Sequence, residues 1–433
     1  MVAYYFPPAG GAGVQRTMKF VRYLPDFGWT PHVVVPRDAD YPVTDPSLVD
    51  EIPTTCTVHP SRIIEPYEVY RKITGRGGGS LDIATLSRSD AESRRPAERF
   101  SEWVRRNFFI PDARAGWIPF AARVGRDVAT KTNAKILYST APPYSAHVAA
   151  RRIHRATGIP WVADFRDSWV DWLSTPRRHG LARRIDLRLE RSVLADASAV
   201  ITVSEGVADD LASRHPETRD ARWHVIPNGF DPNDLTSATP DRLGAPDDAF
   251  VLTYAGTLYG PRDPATLVDA LDVLAGEGHP LASAIRLHLV GRVADNIRAR
   301  IEKSRVARAV TFVDYVPHDR SIGIAKASDA LLLIVDDVPQ SAGILTGKLF
   351  EYLGLRKPIL ALAPEGEATA IVREARGWSV SPRDTTGMVD ALREMWRLRE
   401  AGTLEGPEEA SVTRFTRRAQ TERLAGLFDG LVR

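Results

Sequence analysis

The chain has 433 residues, 43% hydrophobic and 26% charged, with a formal net charge of +2. At roughly 150 residues per domain this predicts two or three domains of ordinary globular composition. Its one cysteine, Cys56, excludes an intramolecular disulfide and any cysteine-cluster metal site.

No apolar run approaches the ~20 residues of a membrane span. Residues 2–6 are too short for the apolar core of a signal peptide, and Pro7 and Pro8 follow, so the cytoplasm is the expected compartment. Charge is unevenly spread. Residues 1–230 hold 32 Lys and Arg against 26 Asp and Glu, and the remainder hold 25 against 29. The basic bias of the first half fits an anionic partner or a membrane surface, which would place the protein on the cytoplasmic face. It is too weak for nucleic acid, and basic and aromatic residues do not interleave in that manner.

In chain order, residues 2–6 read as a short strand that starts at Met1, so the strand looks clipped and the natural start is expected upstream. Residues 10–16 read Gly-Gly-Ala-Gly-Val-Gln-Arg. Gly11 and Gly13 fit the first two places of a dinucleotide fingerprint. Arg16 stands where close helix packing needs a small residue, so a nicotinamide cofactor is not expected. A Gly-rich loop before a helix still lets a ligand approach the backbone closely. Val14, Met18 and Val21 mark one face of a helix ending by Gly28, and residues 32–35 form a strand. This strand-loop-helix-strand unit predicts a parallel sheet.

Residues 36–118 are the least regular part. Residues 75–80 form a glycine-rich break, and the polar stretch 81–96 is expected to be disordered. Residues 97–110 set Phe100, Trp103, Val104, Phe108 and Phe109 among arginines, which suits either a lid over the core or an amphipathic helix on a membrane.

Alternation resumes with strands at 136–139, 161–163, 199–203 and 223–226. The helices between them open at 141–147, cover 181–195 with arginines on the polar side, and open again at Ser204. Ligands of open parallel sheets bind beyond the carboxyl ends of strands, so Asp164, Arg166, Asp167 and the opening glycines are expected at one crevice. The same two aspartates and arginine also suit a closed salt-bridge set that holds the loop.

Residues 231–248 lack periodicity and read as an interdomain linker. A second alternation follows: strand 250–254, a loop to Arg262, helix 264–276, strand 285–290 ending at Gly291, strand 310–313, strand 330–335, a helix opening near Thr346 and Gly347, and strand 359–362. A last helix covers 411–431. Lys348 and Glu351 are three apart and share one helix face. Beside the free N–H groups and positive dipole end of that helix, they offer a place for phosphate, and the carboxylate can accept hydrogen bonds from a diol such as ribose. The expected class is α/β, with two doubly wound parallel-sheet domains facing across a cleft. These are residues 1–231, with an irregular insertion at 60–118, and residues 249–410. Residues 411–433 form a terminal helix that can bridge back.

Seven segments appear in one order: Tyr-Phe-Pro-Pro-Ala-Gly-Gly-Ala-Gly-Val-Gln-Arg at 5–16, Ile-Thr-Val-Ser at 201–204, Ile-Pro-Asn-Gly at 226–229, Tyr-Ala-Gly-Thr at 254–257, Leu-Val-Gly at 289–291, Phe-Val-Asp-Tyr-Val-Pro at 312–317, and Lys-Leu-Phe-Glu-Tyr-Leu-Gly-Leu-Arg-Lys-Pro at 348–358. The series resembles the glycosyltransferase B fold, in particular its family 4-like group of nucleotide-sugar transferases, over nearly the whole chain.

The resemblance implies two Rossmann-like domains and a retaining hexosyltransferase-type enzyme. It would move a sugar from a UDP- or GDP-sugar to a hydroxyl of a glycan, lipid-linked or small-molecule acceptor, without a cofactor or an aspartate-held metal. By resemblance, Glu351 takes the ribose hydroxyls and the backbone near Tyr315 and Val316 takes the base. Thr346, Gly347 and Lys348 face the sugar or diphosphate. Gly256, Gly291 and Arg262 lie along the donor, and Gly11 and Gly13 approach it from the amino-terminal domain. His147, Arg166 and Asp167 meet the acceptor. Asp164 or Asp167 orients or deprotonates its hydroxyl, while Arg262 and Lys348 neutralise the departing diphosphate.

There are two departures from the family pattern. Gly343 stands where many members carry a first glutamate, and Asp164 stands where many carry a histidine. A nucleotide-sugar epimerase or hydrolase, or an inactive sugar-nucleotide-binding subunit, are the competing readings.

Overall fold

The computed structural model describes residues 1–64, 107, 109–173, 175–220 and 222–433. The chain divides into two units, Met1–Pro227 with Gln420–Arg433, and Asn228–Ala419. The glycine break at 75–80, the polar stretch at 81–96, and Phe100, Trp103, Val104 and Phe108 lie outside the described residues.

In the first unit β1 (His32–Pro36) pairs with β2 (Thr57–Ser61), and β3 (Leu137–Ala141), β4 (Trp161–Phe165), β5 (Ala199–Thr202) and β6 (Trp223–Val225) lie side by side, all parallel. Val2 joins the two sets by bridging Val34 and Ser139. The spatial order is therefore β2, β1, Val2, β3, β4, β5, β6, a doubly wound sheet that reverses beside Val2. Where the sequence suggests a strand at 2–6, only Val2 pairs. Pro7 and Pro8 have no N–H for a ladder, and the Ala9 N–H closes a turn on the Phe6 carbonyl at 3.0 Å.

β3 and β4 are buried at every residue, as expected of a sheet covered on both faces. Leu424, Ala425 and Phe428 of helix Arg417–Val432 join Phe20, Tyr138, Val162 and Ile201 in one core cluster.

Two elements inside or beside the irregular region escape sequence reading, namely β2 and helix Ile118–Lys131. Gly125 interrupts the helical pattern, and it is there for packing. A Cβ at Gly125 would lie 2.3 Å from Ile153 Cδ1 of helix Ser145–Thr157, so Ile153 packs directly on the bare backbone of the glycine.

The second unit has a six-stranded parallel sheet of β7 (Phe250–Ala255), β8 (Ile285–Val290), β9 (Val310–Val313), β10 (Ala330–Ile334), β11 (Ile359–Leu362) and β12 (Trp378–Val380). Their order is β12-β11-β10-β7-β8-β9, the order of a dinucleotide-type fold with its switch point between β7 and β10. The stretch 231–248 is not a free linker. Asp231 caps helix Pro232–Ser237, and Phe230 and Leu235 cover Gly354, where a Cβ would fall 2.5 Å from the Phe230 ring. The boundary consequently falls at 227/228, and residues 420–433 return to the first unit. Among the described residues, no helix is long and apolar enough to cross a membrane.

Candidate functional site

The carboxyl ends of β7, β8 and β10 gather most of the second-half candidates. Gly256 and Gly291 follow β7 and β8 with φ of +151° and +117°. A Cβ at Gly291 would lie 2.5 Å from the Gly256 carbonyl oxygen, and one at Gly256 would lie 2.4 Å from Lys348 Nζ. Bare backbone thus leaves room for the lysine. Helix Gly347–Leu355 opens beside it, with Thr346 as its extended N-cap residue. The Thr346 hydroxyl is buried and has no partner among the described residues. Gly347 faces open space.

Lys348 is half-buried, with Nζ 5.8 Å from the Tyr254 ring centroid. Burial first, and Arg262 second, lower its ammonium from 10.5 to about 8 against the pull of Glu351 and Asp336. Arg262 Nε donates to Asp336 Oδ1 at 2.6 Å, and the Tyr259 hydroxyl donates to Asp336 Oδ2 at 3.1 Å. Asp336 follows β10 across the switch point, so this ion pair fixes the guanidinium where the two strands part.

Glu351 sits one turn beyond Lys348 and accepts a hydrogen bond from His318 Nε2 at 3.0 Å. His318 opens helix His318–Lys326 just after Tyr315 and Val316. Tyr315 is 81% exposed, while Val316 packs on Ala255, Val290 and Ile324.

Sequence reasoning misses Asp336, Tyr259 and His318. Asp336 has a readable signal, since it is the first polar residue after an apolar strand run. His318 has none, because the helix it opens is too short and polar to read.

The first-half candidates gather in the first unit, and several have other duties. Asp164 is fully buried. It takes Arg16 Nε and Nη2 at 2.9 and 2.8 Å, the Tyr138 hydroxyl at 2.6 Å and the Thr140 hydroxyl at 2.9 Å. Burial alone would raise its carboxyl, but Arg16 and the two hydroxyls hold it below the usual aspartate range. Three of these bonds fall on Oδ2 and one on Oδ1, and together they tie Asp164 to Arg16, Tyr138 and Thr140 as a buried structural node.

Arg16 also reaches the carbonyls of Pro227 and Ile226 at 2.8 and 2.9 Å. This is why an arginine occupies the place where a dinucleotide loop has a small residue. Arg166 donates to the carbonyls of Gly13 at 2.5 Å, Ala141 at 3.3 Å and Pro142. It clamps three loops together, including the one that carries Gly11. His147 lies in the first turn of helix Ser145–Thr157. It is fully buried against Phe165, shares a 2.8 Å hydrogen bond with Ser139, and is kept neutral by burial at about 3. Asp167 is half-buried at the end of β4.

The loop after β4 is anchored from below. Trp169 stacks on Tyr144 at 4.6 Å and donates to Asp186 at 2.9 Å. Arg178 pairs with Asp186 and donates to the carbonyls of Phe109 and Pro111, each at 2.8 Å. Among the described residues, no group of three or more His, Cys, Asp or Glu side chains could hold a metal ion.

A family model described as Glycosyltransferase Family 4 matches residues 67–234. A D-inositol 3-phosphate glycosyltransferase from Stackebrandtia nassauensis is 29% identical over 217 residues, 48% of this chain and 48% of that protein. The chain spans about half the length of the curated relatives it matches. Among solved structures, a glycosyltransferase from Rickettsia africae aligns over 100% of this chain and 98% of its own, with a TM-score of 0.65 at 13% identity. Anabaena HepE in complex with UDP-glucose aligns over 99% of this chain and 100% of its own, with a TM-score of 0.60 at 14% identity. The fold is that of the glycosyltransferase B structures, two Rossmann-like units, and residues 67–234 are similar to the Glycosyltransferase Family 4 model.

Proposed function

We propose that this protein is a glycosyltransferase that moves a sugar from a nucleoside-diphosphate donor to a hydroxyl acceptor with retention of configuration. The observation that carries the reading is the contact of Lys348 with Gly256 at the switch point, beside the Arg262–Asp336 pair and one turn before Glu351. The hard step is departure of the nucleoside diphosphate. Lys348 and the N–H groups at the start of helix Gly347–Leu355 oppose the charge that develops there. Arg262 adds to that field from its fixed place on Asp336. Glu351 takes the ribose hydroxyls, and the backbone at Tyr315 and Val316 takes the base. Gly291 keeps the Gly256 turn close.

The complex of Anabaena HepE with UDP-glucose favours a UDP-sugar over a GDP-sugar. The name of the curated relatives favours an acceptor rich in hydroxyls, with glycan and lipid-linked acceptors of the same chemistry. Asp167 orients the acceptor in the first unit. As the acceptor oxygen bonds the anomeric carbon and the bond to the diphosphate breaks, the proton of the acceptor hydroxyl passes to the departing phosphate oxygen, with Asp164 engaged by Arg16, Tyr138 and Thr140. The reaction as proposed needs no resident metal.

Purified protein with radiolabelled UDP- and GDP-sugars tests this. Sugar transfer that needs an added acceptor supports it. Donor loss without acceptor points to hydrolysis, and interconversion of donor sugars to an epimerase. Binding without turnover points to an inactive subunit, a reading that Gly343 favours because it removes one sugar-facing glutamate.

A further inference from the structure

We propose that the outward face of helix Gly180–Asp196 docks on an anionic lipid bilayer. The helix sorts its side chains by charge. Its acids are engaged away from the outward stripe. Asp186 takes Trp169 and Arg178, and Glu190 takes Arg214 at 2.8 Å, His215 at 3.0 Å and the Val170 N–H at 2.9 Å. Asp196 takes Arg151 and Arg155, each at 2.7 Å.

The exposed stripe is left with Leu181, Arg184, Ile185, Arg188 and Arg191, at the three- and four-residue spacing of one helix face. Leu181 is 70% exposed and Ile185 37%, and they stand four residues apart. Arg191 pairs with Glu217 at 2.8 Å. Among the described residues, Arg184 and Arg188 are in no salt bridge.

Two aliphatic side chains flanked by unneutralised guanidinium groups, with no acid on the stripe, match a surface of acyl chains beneath phosphates. The apolar pair enters the headgroup boundary, and the arginines meet lipid phosphate. An acidic protein partner would satisfy the arginines but not the aliphatic pair at the stripe's end. The surplus of basic residues over 1–230 adds attraction at longer range. The helix starts just beyond the loop that leaves β4 with Asp167. A bilayer under this face would therefore bring lipid-borne hydroxyls to the acceptor side of the first unit. That last step rests on the proposed activity, whereas membrane docking does not.

Co-sedimentation of the full chain with vesicles, in the absence of donor, tests the docking separately from transfer. Vesicles of phosphatidylcholine alone and with phosphatidylglycerol are compared at low and high salt. Binding to the anionic vesicles only, weakened by salt, is expected. Joint Arg184→Gln and Arg188→Gln should lower the partition coefficient about thirtyfold, at the usual contribution of a basic residue near an anionic surface. Joint Leu181→Ser and Ile185→Ser should also release the protein, with circular dichroism unchanged in both variants. Absence of binding, equal binding to neutral vesicles, or wild-type binding by both variants would overturn the proposal. So would a dimer, seen by sedimentation velocity, that the Leu181→Ser and Ile185→Ser variant abolishes, because the face would then belong to a second copy.

Discussion

Replacing Lys348 by Met keeps the length of the stem and removes the charge, so it separates stability from binding. Burial lowers the ammonium from 10.5 to about 8. At about 1.4 kcal/mol per pKa unit, the protonated lysine costs the unliganded fold on the order of 3 kcal/mol at neutral pH. Water reaching a half-buried amine reduces this to roughly 1–3 kcal/mol.

The folded value lies below the unfolded one, so between these two values the unfolded chain binds more protons. Stability therefore rises with pH from about 8 to 10.5, and the cost is complete below that window. Lys348→Met should raise stability in urea by roughly 1–3 kcal/mol and flatten that rise.

Donor binding should respond in the opposite sense, because a diphosphate needs the charge. In the wild type, affinity for a UDP-sugar should be roughly tenfold weaker near pH 9 than near pH 7, following loss of the proton from free enzyme. The Met variant should bind weakly at both and show no such dependence, which also controls for titration of the ligand. Urea denaturation and calorimetric titration across this range read both effects. A Met variant that is less stable and binds as the wild type does would refute the reasoning.

Asp164→Asn should cost about 3–5 kcal/mol, because it leaves Arg16 buried without its charge partner. Urea denaturation reads this, and turnover per folded molecule should persist; a variant of normal stability without turnover would return Asp164 to the chemistry. In the wild type the Asp164 carboxyl is depressed on folding. The stability it contributes is present above the ordinary aspartate value of 3.8 and is lost as pH falls through the folded value. His318→Ala removes the imidazole from Glu351 and should raise the donor KM about three- to tenfold with kcat unchanged. His318→Gln, which keeps a donor, should recover most of the loss, and a fall in kcat alone would refute the positioning role.

Much of the second unit was legible because its strands are apolar runs bounded by glycines and prolines. Residues 250–254, 285–290, 310–313 and 359–362 match β7, β8, β9 and β11 closely. Lys348 and Glu351 were legible for the same reason, since helix spacing after a buried strand places them. What the sequence hides is pairing over long separation. Asp336 meets Arg262 across 74 residues, and Asp164 meets Arg16 across 148. An aspartate near the end of a strand looks the same whether it meets a substrate or a buried arginine, so the sequence left both readings of Asp164 open, and its partners here are Arg16, Tyr138 and Thr140. Arg166 and His147 show the same limit, because a cation or an imidazole near a strand's carboxyl end carries no mark of the carbonyls or rings around it. Helix Ile118–Lys131 went unread beside the irregular region, and its Gly125 is a helix contact.

The central claim is that a nucleoside diphosphate sits at the switch point of the second unit. A crystal structure of the protein with UDP tests it most directly. The account predicts the diphosphate against Lys348 Nζ and the N–H groups at Thr346 and Gly347, with the ribose on Glu351. A nucleotide bound away from these residues, or no nucleotide at saturating concentration, would contradict it.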